Sequence, residues 1–98
     1  MLKKLLVEFE QLTKKEKIQF IDYLLSNYTL NQTMACRVAD TNVQVLLKAV
    51  KQHQLSLVHL YDNGRNRIHR IYYKDEIISY AKDRELIRQT KQKKYRNH

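Results

Sequence analysis

A group of cationic and aromatic side chains lies close together between positions 59 and 74. It consists of His59, Tyr61, Arg65, Arg67, His69, Arg70, Tyr72 and Lys74. Proteins bind single-stranded nucleic acid with cationic grooves that follow the phosphates and with aromatic rings that stack on unpaired bases. A duplex hides the faces of its bases, so rings interleaved with cations favour a single-stranded partner. The same arginines can bind duplex phosphates, so the residues alone leave both kinds of DNA, and RNA, open.

A second basic segment begins after Glu85, the last acidic residue of the chain. Its cations are Arg88, Lys91, Lys93, Lys94 and Arg96. A basic arm adds affinity for any nucleic acid because it releases the counterions that condense on phosphates. We expect Arg88, Lys91, Lys93 and Lys94 to contact DNA from a C-terminal tail. The alternative is a tail that only promotes solubility.

The net charge of the 98-residue chain is +9, from 19 Lys and Arg against 10 Asp and Glu. Residues 63–98 hold eleven of the basic groups and four of the acidic ones, a net charge of +7. Such an excess indicates a polyanionic partner and says nothing about the fold. The partner is therefore expected to meet the last third of the chain.

The N-terminal part of the chain predicts two amphipathic helices. Leu2, Leu5, Leu6 and Phe9 recur at helical spacing, and Thr13 with Glu16 predicts a capping box that starts a second helix ending near Tyr28. A single unbroken helix over 2–27 is the alternative, because threonine is tolerated inside helices. A short polar stretch, residues 29–32, separates these helices from the rest.

The next segment predicts a short helix, a turn and a longer helix. We expect Thr33 to cap a helix ending near Ala39, with a turn at 40–42 and a second helix over about 42–54. In a helix-turn-helix the second helix reads base edges in the major groove. The exposed side of this one offers Asn42, Gln44, Lys48 and Lys51 but no arginine. The alternative is a core helix whose polar side is only solvated.

Two runs rich in β-branched and aromatic residues, 55–61 and 67–73, flank Asn63-Gly64 and predict a β-hairpin. A five-residue loop that pairs Leu60 with Ile68 is preferred to a two-residue loop, because it matches apolar residues. A last helix follows from Asp75. The predicted fold is mainly α with a β-hairpin wing, a winged helix-turn-helix domain over 1–87 with a basic tail over 88–98.

Residues 35–80 resemble the small winged helix-turn-helix domains of excisionases and MerR-type regulators. The segment Ile71-Tyr72-Tyr73-Lys74-Asp75-Glu76-Ile77-Ile78-Ser79-Tyr80 is similar to their closing strand and the acidic-capped helix that follows it. The whole chain also resembles the small winged-helix proteins encoded beside the replication helicases of staphylococcal cassette chromosomes. That resemblance implies single-stranded DNA binding in the replication module of a mobile genetic element. It transfers no individual DNA-contacting residue.

Other features argue against catalysis and against a membrane span. The chain has no phosphate-binding glycine loop, and Cys36 has no base near it in the sequence that could make it a nucleophile. The spacings of Cys36, His53, His59 and His69 match no ligand motif, so we expect no metal, no cofactor and no enzyme activity. A single cysteine fits a reducing cytoplasm. No apolar run approaches the ~18 residues of a membrane span.

Three hypotheses follow. The first is a non-enzymatic protein that prefers single-stranded DNA and acts beside a replicative helicase or polymerase. The alternative is a sequence-specific duplex regulator or excisionase that uses Asn42, Gln44 and Lys48 on bases. The third is an interaction module whose residues 2–28 dock a partner or a second copy. The preferred interpretation of these helices is structural: they complete the thin core of a small domain.

Overall fold

A computed structural model describes the backbone of residues 1–96 and the side chains of residues 1–90. The described part is mainly helical, with five helices and one three-stranded antiparallel sheet, which agrees with the prediction of a mainly α fold with a β-hairpin. None of its helices is long and apolar enough to cross a membrane. The helices are α1 (Leu2–Glu10), α2 (Lys14–Tyr28), α3 (Gln32–Ala39), α4 (Val43–Lys51) and α5 (Lys74–Arg96), and the strands are β1 (Thr29–Asn31), β2 (Leu57–Asp62) and β3 (Ile68–Tyr73).

The predicted capping box separates α1 from α2. The Glu16 amide donates to the Thr13 hydroxyl at 3.2 Å, and the Thr13 amide donates to the Glu16 carboxylate at 3.0 Å. The Thr13 backbone amide, and after it the Thr13 side chain, hold the pKa of the Glu16 carboxyl below its usual value. Because Thr13 takes an extended conformation, the alternative of one unbroken helix over 2–27 is wrong.

A three-residue turn, residues 40–42, joins α3 to α4. The side-chain oxygen of Asn31 accepts from the Met34 amide at 2.8 Å, so Asn31 caps α3 and the prediction of Thr33 as the cap was wrong. Asp40 ends α3 in the left-handed conformation, with φ of 50°. Asn42 then caps α4 by accepting from the Val45 amide at 3.0 Å. Side chains that bond their own backbone therefore define both helix starts.

The sheet has the order β1-β3-β2, so β3 is its central strand. Strand β1 was not predicted, because the polar residues 29–32 carry no strand pattern and become a strand only by pairing with β3. The hairpin loop has the preferred five residues, 63–67, but the strand pairing differs from the prediction. Leu60 pairs with Arg70 and Asp62 with Ile68, two positions from the expected register.

The core consists of three alanines and four larger side chains. Its buried members are Ala35, Ala39, Leu46, Ala49, Leu55, Tyr72 and Ile77. Neither α1 nor α2 contains a buried residue. The interpretation that residues 2–28 complete the core is therefore wrong. At the other end of the chain, α5 continues without a break across the predicted domain boundary between residues 87 and 88.

Candidate nucleic-acid interface

The hairpin loop is held by the side chains of Asp62 and Asn63. The Asp62 carboxylate accepts from the Gly64 amide at 2.8 Å. The Asn63 side-chain oxygen accepts from the amides of Arg65 at 3.0 Å and Arg67 at 3.2 Å. Gly64 has φ of +75°, a conformation that glycine adopts without strain. These bonds order the backbone that carries the two exposed loop arginines.

The tip of the hairpin carries a cluster of rings and one arginine, which we call the outer hairpin surface: His59, Tyr61, Arg67 and His69. The rings of His59 and Tyr61 meet edge to face with centroids 4.4 Å apart. Tyr61 pairs with His69 across the strands, so both point to the same side of the sheet. Tyr61, Arg67 and His69 line a shallow cleft of about 280 Å³. Tyr61 is 57% exposed, so its ring is available to a ligand.

Arg70 points to the opposite side of the sheet, because successive side chains of a strand alternate. Its guanidinium donates to the Gln32 side-chain oxygen at 3.0 Å. On that side it shares a groove of about 700 Å³ with α4, which we call the α4–β3 groove. The groove is lined by Gln44, Leu47, Lys48, Val50, Lys51 and Arg70. The structure thus joins Arg70 to three of the four residues predicted to read duplex DNA.

Asn42, the fourth predicted duplex-reading residue, does not line this groove. Its side-chain oxygen is engaged in capping α4. Leu47 and Val50 do line it, although they were not predicted to be site residues. Both are half-buried, because they lie at the margin of the core, where one side of each side chain faces the groove. The sequence signal for them was the apolar face of α4 itself.

Tyr72 was predicted to contact nucleic acid, and this prediction is wrong. Its side chain is 0% exposed and belongs to the core, so the ring cannot stack on a base. Burial raises the pKa of its phenol, and the positive charge of Arg70 offsets part of that rise. Among the described residues the hydroxyl has no hydrogen-bond partner. The neighbouring Tyr73 is 39% exposed and lies on the other side of the sheet.

The cations of α5 are placed differently from one another. Lys74, the first residue of the helix, is half-buried. Arg88 donates to the Asp40 carboxylate at 3.1 Å and lies 3.9 Å from the carboxylate of Glu85. These acids neutralise part of its charge, so Arg88 ties α5 to the turn before α4. Lys91, Lys93 and Lys94 belong to α5, and their side chains lie outside the described residues.

The remaining candidate chemistry is weak. Cys36 is half-buried against the core, and burial raises the pKa of its thiol, which opposes formation of the reactive thiolate. Within the described residues no group of three His, Cys, Asp or Glu side chains is arranged to hold a metal ion.

Comparison with models of protein families, with curated protein sequences and with solved structures finds no match to this chain. The geometry of the two surfaces described above therefore carries the functional argument alone.

We predict that Tyr72→Phe raises the free energy of unfolding by about 1 kcal/mol, because it removes a buried hydroxyl without a partner. Urea unfolding measures this change, and Tyr73→Phe, at a half-exposed ring, is the matched control with almost no effect. Binding of an oligonucleotide should be unaffected by Tyr72→Phe. A clear loss of either stability or binding in this variant would show that the hydroxyl has a role.

Proposed function

We propose that this chain is a non-enzymatic winged helix-turn-helix protein that binds DNA and prefers single strands. In this interpretation α3 and α4 form the helix-turn-helix and the β2–β3 hairpin is the wing. The observation that carries the proposal is the outer hairpin surface, where exposed rings and an arginine surround one cleft. A place beside a helicase or polymerase in the replication of a mobile element is implied by the resemblance alone.

The preference for single strands rests on the exposed ring of Tyr61. A ring can stack on a base only if the base presents its face, and a single strand presents many such faces. The ring of His59 supports Tyr61 from the side at 4.4 Å, which restricts its orientation before any ligand binds. A fixed ring loses less conformational freedom on binding than a mobile one.

The cations around this surface supply the phosphate contacts. Arg67 lies in the same cleft as Tyr61, and Arg65 is exposed in the loop beside it. Among the described residues Asp62 is the one acidic side chain that lines the cleft, and its carboxylate accepts from the Gly64 amide. The arginines are therefore placed to follow a phosphate backbone while the rings contact bases.

Binding of duplex DNA through the α4–β3 groove is the second candidate. The observation that favours it is the groove shared by Gln44, Lys48 and Lys51 of α4 with Arg70 of β3. In a winged helix-turn-helix both the second helix and the wing can contact DNA. The absence of arginine from α4 weakens this candidate, because arginine makes the commonest contact with guanine.

We predict that the protein binds oligo-dT more tightly than a mixed-sequence duplex of equal length. Fluorescence anisotropy at two or more salt concentrations measures both affinities. The logarithm of the single-strand affinity should fall with the logarithm of salt by about 0.7 for each phosphate neutralised. Tighter binding of the duplex at every salt concentration would contradict the proposed preference.

We predict different effects for the ring and for the cation of the outer hairpin surface. Tyr61→Ala should weaken oligo-dT binding by about 1–3 kcal/mol with little change in salt dependence, and Tyr61→Phe should retain most of the affinity. Arg67→Ala should weaken binding and make the salt dependence shallower. Lys15→Ala, at an exposed position near the start of α2, controls for the loss of one positive charge. Unchanged binding in both Tyr61→Ala and Arg67→Ala would show that DNA does not bind at this surface.

The second candidate makes a separate prediction for the double variant Gln44→Ala/Lys48→Ala. If the α4–β3 groove reads duplex DNA, a footprint on a selected duplex should disappear in this variant while oligo-dT binding changes little. A protein that selects no duplex sequence, or a double variant with an unchanged footprint, would exclude sequence reading by the groove.

A further inference from the structure

The two N-terminal helices expose an unusually large apolar surface. Eleven Leu, Ile, Val, Phe and Tyr side chains of α1 and α2 are each at least 39% exposed. Neither helix contains a buried residue. Large exposed apolar patches are rare on monomeric proteins and mark sites of interaction.

Contacts among the described residues do not account for the stability of α1. It meets α2 near one end, where the rings of Phe9 and Phe20 are 5.9 Å apart and Lys17 bridges to Glu10 at 3.4 Å. Leu2, Leu5 and Leu6 remain more than half exposed. A nine-residue helix is marginal in water without tertiary packing. Since no described residue covers this face, we expect another molecule to cover it.

The apolar surface of α2 continues into a cleft against the sheet. The cleft measures about 330 Å³ and is lined by Ile21, Leu25 and Tyr28 of α2 with Val58 and Tyr73 of the sheet. Leu24 and Thr29 complete its lining. The cleft lies at the base of the hairpin, and none of the residues of the outer hairpin surface lines it. An apolar side chain from another molecule would fill it.

Charge and area favour a second copy of this chain as the occupant. Residues 1–28 carry five lysines and four acidic groups, a net charge of +1, whereas residues 63–98 carry +7. Two such near-neutral faces do not repel one another, and a surface that binds nucleic acid or anionic lipid would carry more cations. At about 80 Å² for each of the eleven side chains, the exposed apolar surface of α1 and α2 totals at most on the order of 900 Å². A stable interface buries about 800 Å² per partner.

We infer that α1, α2 and the cleft form the interface of a homodimer. A two-fold axis matches the apolar face of one protomer with the same face of its partner, so the surface is complementary to itself. Two amphipathic helices from each protomer then enclose a common apolar layer, as in a four-helix arrangement. The outer hairpin surface of each protomer stays free, so the dimer presents two of them.

Sedimentation velocity of the full chain across a concentration series tests this inference. We expect a species of twice the 11.9 kDa protomer mass that dissociates on dilution. Leu6→Glu and Leu25→Glu should each raise the dissociation constant at least about tenfold, because a carboxylate is placed in an apolar interface. Leu86→Glu is the matched control at an exposed leucine of α5, 61% exposed, and should leave the dimer intact. Circular dichroism checks that each variant is folded.

Hydrogen exchange of the unmodified chain supplies a second measurement that needs no variant. The amides of α1 and α2 should become more protected as concentration rises, while those of α4 stay constant. A chain that is monomeric at every concentration overturns the inference. A different protein would then be the candidate to bind this face. A dimer that persists in Leu6→Glu and Leu25→Glu, or one that is lost in Leu86→Glu, overturns it as well.

Discussion

Burial of the Tyr72 ring is the constraint on which the rest of the structure depends. Tyr72 lies in the central strand, pairs with Leu30 on one side and Leu57 on the other, and is 0% exposed. Its ring therefore joins all three strands to the core formed with α3, α4 and α5. Because side chains alternate along a strand, burying Tyr72 also decides that Arg70 faces α4 and that His69 faces away from it.

Two polar surfaces follow from that alternation. On one side of the sheet Arg70 meets the lysines of α4, and on the other the rings of His59 and Tyr61 stand beside Arg67 and His69. A single basic-aromatic segment in the sequence is thus divided between two faces. The side with exposed rings suits unpaired bases, and the side with a helix groove suits a duplex, which is why the two DNA hypotheses concern different residues.

The small core explains why the N-terminal helices are left outside it. Three alanines and a few larger residues fill the space between α3, α4, α5 and the sheet. Ala35, Ala39 and Ala49 let the helices approach closely and leave little room for another apolar layer. The leucines and isoleucines of α1 and α2 therefore lie at the surface. The inferred dimer would bury them in an intermolecular layer rather than in the core.

Local signals in the sequence determined much of the fold. Thr13 and Glu16 defined a helix start, Asn63-Gly64 defined the loop, and helical spacing located α4, because each effect acts between near neighbours in the chain. Strand β1, the pairing of Leu60 with Arg70 and the burial of Tyr72 depend on residues far apart in sequence. Only the tertiary structure decided them. The sequence allows either Tyr72 or Tyr73 to enter the core, and the strand register determines which of the two does.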